Sequence, residues 1–262
     1  MDDASPTLAS VIIPAFNAEA VLEQAVDSVR ASIAHCAAHL AAAPAGAFEI
    51  ILVDDASTDA TLALARRLAA EDPRITVIAR RRNGGAGPAR NAGARAAKGE
   101  ILFYLDADDG FLPPHVLACL QELLRHPEAG LVKTGIAVDF PLTEEWRQAL
   151  IVSVVFNTAL WKRCHEAIGG FMEDPELCVL RCEDVFYCDL LMRAFPARGI
   201  EAQTVRHTLR PGGAFDGQRA KFSAPPGEGP ESLTPAQSAV LPLIRARHAE
   251  RLARLGLEDA EA

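Results

Sequence analysis

The chain contains 262 residues, of which half are apolar, so it can bury the core of one large domain or of one domain with a small appendage. Its 26 basic and 35 acidic side chains give a net charge of −9, which argues against nucleic acid as the main partner. No apolar run approaches the roughly 20 residues of a membrane helix. With no Cys-x-x-Cys pair and a charged N-terminus unlike a secretory leader, the chain is expected in the reduced cytoplasm.

Apolar strands alternate with amphipathic helices over the first half of the chain. Strands are predicted at residues 10–13, 50–53, 75–78, 101–105 and 131–132, and helices at about 21–36, 61–70, 88–97 and 114–126. Near-continuous apolar strands separated by helices are typical of a parallel sheet that is covered on both faces. We therefore predict an α/β fold of three layers with an open, mostly parallel sheet, and we expect Ser57 or Thr58 to cap the second helix.

The alternation weakens after Gly135. We expect a strand at 152–156, helices at about 162–168 and 184–194, a segment rich in Pro and Gly at 211–235, and a final helix at about 235–255. These elements predict one domain over residues 1–215, followed by a linker and a C-terminal helix over 216–262. That helix could pair with another subunit, dock on its own domain or rest peripherally on a membrane, although its arginines favour a solvated face.

Polar residues follow three of the predicted strands, at the edge of an open α/β sheet where ligands bind. The strands lead into Pro14-Ala15-Phe16-Asn17, Asp54-Asp55 and Asp106-Ala107-Asp108-Asp109. In the last of these, three carboxylates within four positions repel one another unless a cation or a ligand offsets their charge, and carboxylates suit Mg²⁺ or Mn²⁺. This strand end is either a metal site shared with a phosphate-bearing substrate or a turn whose Asp side chains accept backbone N–H groups.

Several common nucleotide and hydrolase sites are disfavoured by missing motifs. The first strand is not followed by Gly-x-Gly-x-x-Gly, and the chain has neither a Gly-x-x-x-x-Gly-Lys-Ser/Thr loop nor a Gly-x-Ser-x-Gly elbow. A basic run, Arg80-Arg81-Arg82, precedes Asn83-Gly84-Gly85 and forms either a face that attracts phosphate or a solvated turn.

Five motifs follow one another within residues 10–109, at 10–17, 51–59, 83–93, 98–100 and 105–109. Together they resemble the inverting glycosyltransferase family 2, whose catalytic domain has the A-type glycosyltransferase fold. Trp161-Lys162-Arg163, Ile168-Gly169-Gly170-Phe171 and Glu183-Asp184 resemble the acceptor-side elements of that family. The resemblance implies a donor half at about 9–135 and an acceptor half at about 136–215.

The same resemblance implies a nucleotide-sugar donor, an acceptor hydroxyl and a divalent cofactor, Mn²⁺ or Mg²⁺. Phe16 would lie near the base, commonly uracil, Asp55 would accept a hydrogen bond from it, and Asp106 would contact the ribose or the sugar. The implied donor-binding residues are Pro14, Ala15, Phe16, Asn17, Asp54, Asp55, Asn83, Gly84, Gly85, Arg90, Asp106 and Arg210. The implied metal ligands are Asp108, Asp106 and His207.

Sugar transfer requires a base as well, because the acceptor hydroxyl loses a proton as it attacks the anomeric carbon. Asp184 is the candidate base, with Glu183 as a neighbour that orients donor or acceptor. Both acids are also typical of the first turn of a helix, where the helix dipole stabilises them without any catalytic role. His207, Arg210 and the glycines after them resemble a loop that closes over the diphosphate, with Arg210 where a His is frequent.

Two other functions compete with sugar transfer. A nucleotidyltransferase of related fold is disfavoured, because its Gly-rich signature after the first strand is missing. A non-catalytic nucleotide-sugar-binding subunit of a glycan assembly complex is the second alternative. Asp106, Asp108 and Asp184 argue against it, since binding without turnover does not need all three acids.

Overall fold

The computed structural model describes residues 7–41, 43–177, 182–208 and 234–257, which form an α/β fold around one mixed sheet. In chain order the strands are β1 Ala9–Ala15, β2 Phe48–Asp54, β3 Ile75–Ala79, β4 Ile101–Tyr104, β5 Gly110–Phe111, β6 Leu131–Val138, β7 Thr158–Trp161 and β8 Ala197–His207. The helices are α1 Leu22–His39, α2 Thr61–Glu71, α3 Ala86–Ala96, α4 His115–Arg125, α5 Glu144–Ser153, α6 Lys162–Ala167, α7 Glu183–Ala194 and α8 Pro235–Arg254. The predicted fold class is confirmed.

The strand order, β3-β2-β1-β4-β7-β6-β8-β5, places β1 between β2 and β4. β1 runs parallel to both neighbours, with Val11 paired to Ile50 on one side and to Phe103 on the other. Beyond β4 the sheet becomes mixed, because β7 runs antiparallel to β4 and β6 whereas β8 runs parallel to β6. The carboxyl ends of β1, β2 and β4 consequently open on the same edge of the sheet.

Alternate residues of β1 pack on opposite faces of the sheet, as the pleat requires. Val11 and Ile13 belong to a core cluster with residues of α1, α2 and α4, whereas Ile12 belongs to a second cluster with residues of α3 and α7. All three side chains have no solvent exposure. The sheet is thus covered on both faces, and its polar strand ends are left at the edge.

Two sequence predictions about local structure are wrong. Residues 152–156 do not form a strand, because α5 continues to Ser153 and the next strand begins at Thr158. The Thr143 hydroxyl caps α5 by accepting from the Trp146 N–H, so the β-branched residues near its end are helical. Neither Ser57 nor Thr58 caps α2, which begins at Thr61 after Ala60.

A long strand, β8, was not predicted. Most of its first seven residues are exposed, and polar side chains dominate its sequence, so it lacks the apolar pattern of a buried strand. It pairs with β6 through register shifts on both sides of Gly135. A Cβ on Gly135 would lie 2.7 Å from the Glu201 carbonyl oxygen, which explains a glycine at this irregularity.

The C-terminal helix α8 docks on its own domain, which is one of the three positions expected for it. Ile244 and Leu252 are fully buried, and Ile244 packs against Met172 and Leu177. The His248 ring contacts Asp189 of α7 at 2.7 Å. Within the described part of the chain, no helix is both long enough and apolar enough to cross a membrane. The segment predicted at 211–235 lies, up to residue 233, outside the described residues.

Close packing of α3 on the sheet gives a first testable expectation. A Cβ on Gly93 would lie 2.4 Å from Ile12 Cγ2 in the fully buried center of the sheet. We expect Gly93→Ala to lower the free energy of unfolding by about 1–3 kcal/mol, because overpacking outweighs the gain of up to about 1 kcal/mol in helix propensity. Urea denaturation measures the change. Gly46→Ala is the control, since its Cβ would meet nothing within 4 Å, and a stabilised Gly93→Ala would contradict the packing.

Candidate active site

A cavity of about 630 Å³ opens at the carboxyl edge of the sheet. The ends of β1, β2 and β4 supply one side of it, and the N-terminal ends of α3 and α7 supply another, so segments that are distant in sequence meet there. The residues that were predicted from the sequence and line this cavity are Pro14, Ala15, Phe16, Asp55, Asn83, Gly84, Gly85, Arg90, Asp106, Asp108, Glu183 and Asp184.

Arg90 occupies the center of this arrangement. Its side chain is 2% exposed, and its two terminal nitrogens donate to Asp106 Oδ1 and to Asp184 Oδ1, each at 2.5 Å. Glu183 Oε1 lies 3.6 Å from the same guanidinium. One buried cation therefore joins an acid at the end of β4 to an acid in the first turn of α7, 78 positions further along the chain.

These contacts shift the ionisation of both partners. Burial opposes the charge on Arg90, but Asp106, Asp184 and Glu183 outweigh it and raise the pKa of the guanidinium. Burial raises the pKa of Asp184 to about 7, assisted by the charges of Glu183 and Asp106 and opposed by Arg90 and by the Val155 N–H. Asp184 is thus a carboxyl group that changes its protonation state close to neutral pH.

The loop between β3 and α3 is held by a single carboxylate. Asp55, which is buried at the end of β2, accepts from the backbone N–H groups of Gly84 at 3.0 Å and Gly85 at 2.8 Å, and also from Arg80. Gly85 has a φ of +88°, which favours glycine at this position. The Asp55 oxygens thus fix the wall formed by Asn83, Gly84 and Gly85.

Asn17 and Asp54 were predicted to bind the donor, but neither residue lines the cavity. The Asn17 side chain accepts from the Thr58 N–H at 2.9 Å, and the Asn17 N–H donates to the Ser57 hydroxyl at 3.1 Å, so this residue ties the ends of β1 and β2 together. Asp54 is buried and accepts from the Ser57 N–H at 3.3 Å. The structure gives both residues contacts that stabilise the strand ends.

The acids at the end of β4 face different surroundings. Asp106 and Asp108 line the cavity, whereas Asp109 is buried and binds the His207 ring at 2.8 Å and the Thr208 N–H at 3.0 Å. Burial raises the pKa of Asp109 to about 6. Burial opposes protonation of His207, but its hydrogen bond to Asp109 and the neighbouring carboxylates raise the pKa of this ring.

No group of three or more His, Cys, Asp or Glu side chains suited to a metal ion occurs among the residues that the structure describes. His207 lies outside the cavity lining and stacks on Phe156, with the ring centroids 5.2 Å apart. Of the three predicted metal ligands, Asp106 and Asp108 line the cavity. Arg210, predicted as a donor-binding residue, lies outside the described residues.

Asn91, which was not predicted as a site residue, follows Arg90 in α3 and holds the opposite wall. Its side chain accepts from the Phe171 N–H at 2.9 Å and donates to the Phe171 carbonyl at 3.0 Å. Phe171 in turn stacks on Tyr187, with centroids 3.7 Å apart, and lies 5.3 Å from the Arg90 guanidinium carbon. The Arg-Asn pair was part of a recognised motif, but only the structure shows that its two side chains hold two different walls.

Helix α5 was missed as well, although it forms the far side of the cavity. Trp146, Ala149 and Leu150 line the cavity from this helix. The loop after Phe171 continues the same wall with Met172, Asp174 and Leu177. Helix α8 braces that loop, since Arg247 pairs with Asp174 and Arg251 donates to the Gly170 carbonyl at 2.7 Å.

The chain is similar to known proteins in both sequence and structure. A family model described as Glycosyl transferase family 2 matches residues 10–182. The uncharacterized protein y4gI of Sinorhizobium fredii is 30% identical over 187 residues, which are 64% of this chain and 19% of that relative. The chain therefore spans about a fifth of the length of this curated relative.

Solved structures share the fold at lower sequence identity. TarS of S. aureus, residues 1–349, in complex with UDP-GlcNAc has a TM-score of 0.67 and 17% identity, over 95% of this chain and 71% of that one. The mannosyltransferase PcManGT of Pyrobaculum calidifontis, in complex with GDP-Man and Mn²⁺, has a TM-score of 0.62 and 21% identity, over 97% and 76% of the two chains. These similarities establish an A-type glycosyltransferase fold.

Removal of the buried charge of Arg90 is expected to destabilise the protein to an extent that depends on pH. We expect Arg90→Gln to lower the free energy of unfolding by about 3–5 kcal/mol at pH 8, because the partly buried carboxylates around it lose their counter-charge. The loss should shrink toward pH 5, since carboxyl groups whose folded pKa has risen take up protons there and repel less. Urea denaturation at both pH values measures this.

Arg67→Gln is the matched control for that experiment, because Arg67 makes two ion pairs but is exposed to solvent. Removing exposed pairs changes stability little. Equal losses for the two variants, or an Arg90→Gln loss that does not vary with pH, would contradict the role of Arg90 as a buried counter-charge.

Proposed function

Because this chain belongs to glycosyl transferase family 2, we propose that it transfers a sugar from a nucleotide-diphosphate donor to an acceptor hydroxyl with inversion at the anomeric carbon. The observation that carries the proposal is the pairing of Arg90 with both Asp106 and Asp184. It brings an acid suited to the donor and an acid suited to the acceptor to one cavity. The UDP-GlcNAc complex of TarS supports a UDP-sugar as the donor.

The nucleotide is assigned to the side of the cavity formed by the strand ends. Phe16 is 48% exposed there, which is unusual for a large apolar side chain and leaves its ring available to a base. The segment Asn83–Gly85 adds a wall without bulky side chains beside the N-terminus of α3, where a negatively charged diphosphate is favoured. Asp55 keeps this segment in place through the two glycine N–H groups.

A divalent ion is assigned to the two acids of the β4 end that line the cavity. Asp106 and Asp108 are oxygen ligands of the kind that Mg²⁺ and Mn²⁺ prefer, and such ions take further ligands from water and substrate phosphates. When bound, the ion would offset the negative charge that develops on the departing diphosphate. His207 stays a prediction from the resemblance alone, because its ring binds Asp109 and lies outside the cavity lining.

Asp184 is proposed as the base that accepts the proton of the acceptor hydroxyl. A pKa of about 7 suits this task, since the carboxylate is then available at neutral pH and still basic enough to take a proton. Its second oxygen accepts from the Val155 N–H at 3.2 Å, which fixes the orientation of the carboxylate. Arg90, held between Asp184 and Asp106, positions the base relative to the donor.

Replacing the base gives the most direct test of turnover. We expect Asp184→Asn to reduce transfer by about 10²–10⁴-fold, as for the loss of a general base, while the affinity for UDP changes little. The wild-type rate should fall about tenfold per pH unit below pH 7, because the protonated carboxyl cannot accept a proton.

Product formation from a panel of nucleotide sugars and UDP titration calorimetry measure the two quantities. Asp189→Asn is the control, since Asp189 lies on the same helix but outside the cavity lining. Normal transfer by Asp184→Asn would remove this residue from the role of base. UDP binding with no turnover of any donor by the wild type would favour a non-catalytic binding subunit.

The metal assignment has its own test. We expect Mn²⁺ to tighten UDP binding to the wild type at least about tenfold, and this gain to be lost in Asp108→Asn, because a liganding carboxylate is missing. Calorimetry with Mn²⁺ and with a chelator measures it, and Asp139→Asn, an exposed acid outside the cavity lining, is the control. An affinity for UDP that does not change with Mn²⁺ would contradict the assignment of a metal ion to Asp106 and Asp108.

A further inference from the structure

The two sides of the cavity differ in chemistry. The side formed by the strand ends and α3 carries Asp55, Arg90, Asp106 and Asp108. The opposite side consists of α5 and the two segments that follow α5 and α6, and the residues it presents to the cavity are mainly apolar. They include Trp146, Ala149, Leu150, Val154, Met172 and Leu177.

Two polar side chains of the described far wall, Ser153 and Asp174, have partners within the protein. The Ser153 hydroxyl donates to the Leu150 carbonyl at 3.4 Å. The Asp174 carboxylate is paired with Arg247 of α8, and Asp184 is paired with Arg90. A carbohydrate that entered here would bury several hydroxyl groups against apolar carbon, which is unfavourable unless each finds a hydrogen-bond partner.

Contact between an apolar acceptor framework and this wall would instead favour binding, because the contact removes apolar surface of both partners from water. The apolar wall also lies next to the proposed base, Asp184. The chain that leaves α5 passes Val154, which lines the cavity, and its next residue donates the Val155 N–H to Asp184 Oδ2 at 3.2 Å. A hydroxyl carried at the end of an apolar group seated on this wall would reach the carboxylate that accepts its proton.

We propose that the acceptor is an alcohol or phenol whose hydroxyl is carried by an apolar framework, and not a free oligosaccharide. This inference rests on the proposed function and narrows its acceptor. In the step, the acceptor oxygen forms a bond to the anomeric carbon while the bond from that carbon to the diphosphate breaks. The hydroxyl proton passes to Asp184, and the nucleoside diphosphate leaves with the electron pair.

Binding to the UDP-saturated protein tests the inference without knowledge of the natural acceptor. Three probes are compared by saturation-transfer NMR and calorimetry: 4-nitrophenol for an aryl framework, 1-octanol for an aliphatic one and maltotriose for a glycan. We expect at least one of the two apolar probes to bind at least tenfold more tightly than maltotriose. The stronger of the two shows whether the framework is aryl or aliphatic.

Two substitutions on the same helix locate the bound probe. Ala149 and Val152 are both exposed on α5, but only Ala149 lines the cavity. Ala149→Asp is expected to weaken binding of the apolar probe at least fivefold with UDP affinity unchanged, because it places a charge on the apolar wall. Val152→Asp is expected to stay within twofold of the wild type for both ligands.

The outcomes separate the two proposals. Failure of the wild type to bind UDP overturns the proposed function and this inference with it. UDP binding accompanied by equal or tighter binding of maltotriose overturns the inference alone. So does an absence of binding by both apolar probes up to their solubility limit, or binding that Ala149→Asp leaves unchanged.

Discussion

The buried guanidinium of Arg90 is the constraint on which the site depends. A cation that is 2% exposed is tolerated only where anions replace its water, and here the replacement comes from Asp106 and Asp184. These acids belong to the end of β4 and the start of α7, so satisfying one charge brings together two halves of the fold. The same guanidinium offsets the repulsion among these acids.

Helix α3 contacts both sides of the cavity, and not all of these contacts are ion pairs. Its Arg90 binds the acids, and the adjacent Asn91 binds both backbone groups of Phe171, so two neighbouring side chains of one helix hold the side formed by the strand ends and the far wall of the cavity. Because Gly93 has no side chain, this helix packs closely against Ile12 of the central strand β1. Helix α8 acts on the same far wall from outside through Arg247 and Arg251. The shape of the cavity is thus set by contacts made outside it.

The parts of the fold that follow from simple patterns were predictable from the sequence. The buried strands β1, β2 and β4 contain continuous apolar runs, and their ends supplied many of the predicted residues that line the cavity. β8 could not be predicted, because its exposed polar residues carry no strand signal. The β-branched run before Thr158 was misread, because α5 ends within it and the next strand begins only at Thr158. The contact of Arg90 with Asp184 spans 94 positions and has no local pattern. Asn17 and Asp54 belong to the recognised motifs, but neither residue lines the cavity. Membership of a motif therefore did not suffice to predict which side chains face the cavity.

In the proposed reaction, one cavity holds the donor against the strand ends and presents its anomeric carbon to Asp184. An experimental structure of the protein with UDP-sugar and Mn²⁺ would show where each part of the donor binds. We expect the base beside Phe16 and the segment Asn83–Gly85, the diphosphate beside Asp106 and Asp108, and Asp184 on the face of the sugar opposite the diphosphate. A nucleotide bound outside this cavity, or an Asp184 carboxylate on the same face as the leaving diphosphate, would contradict this arrangement.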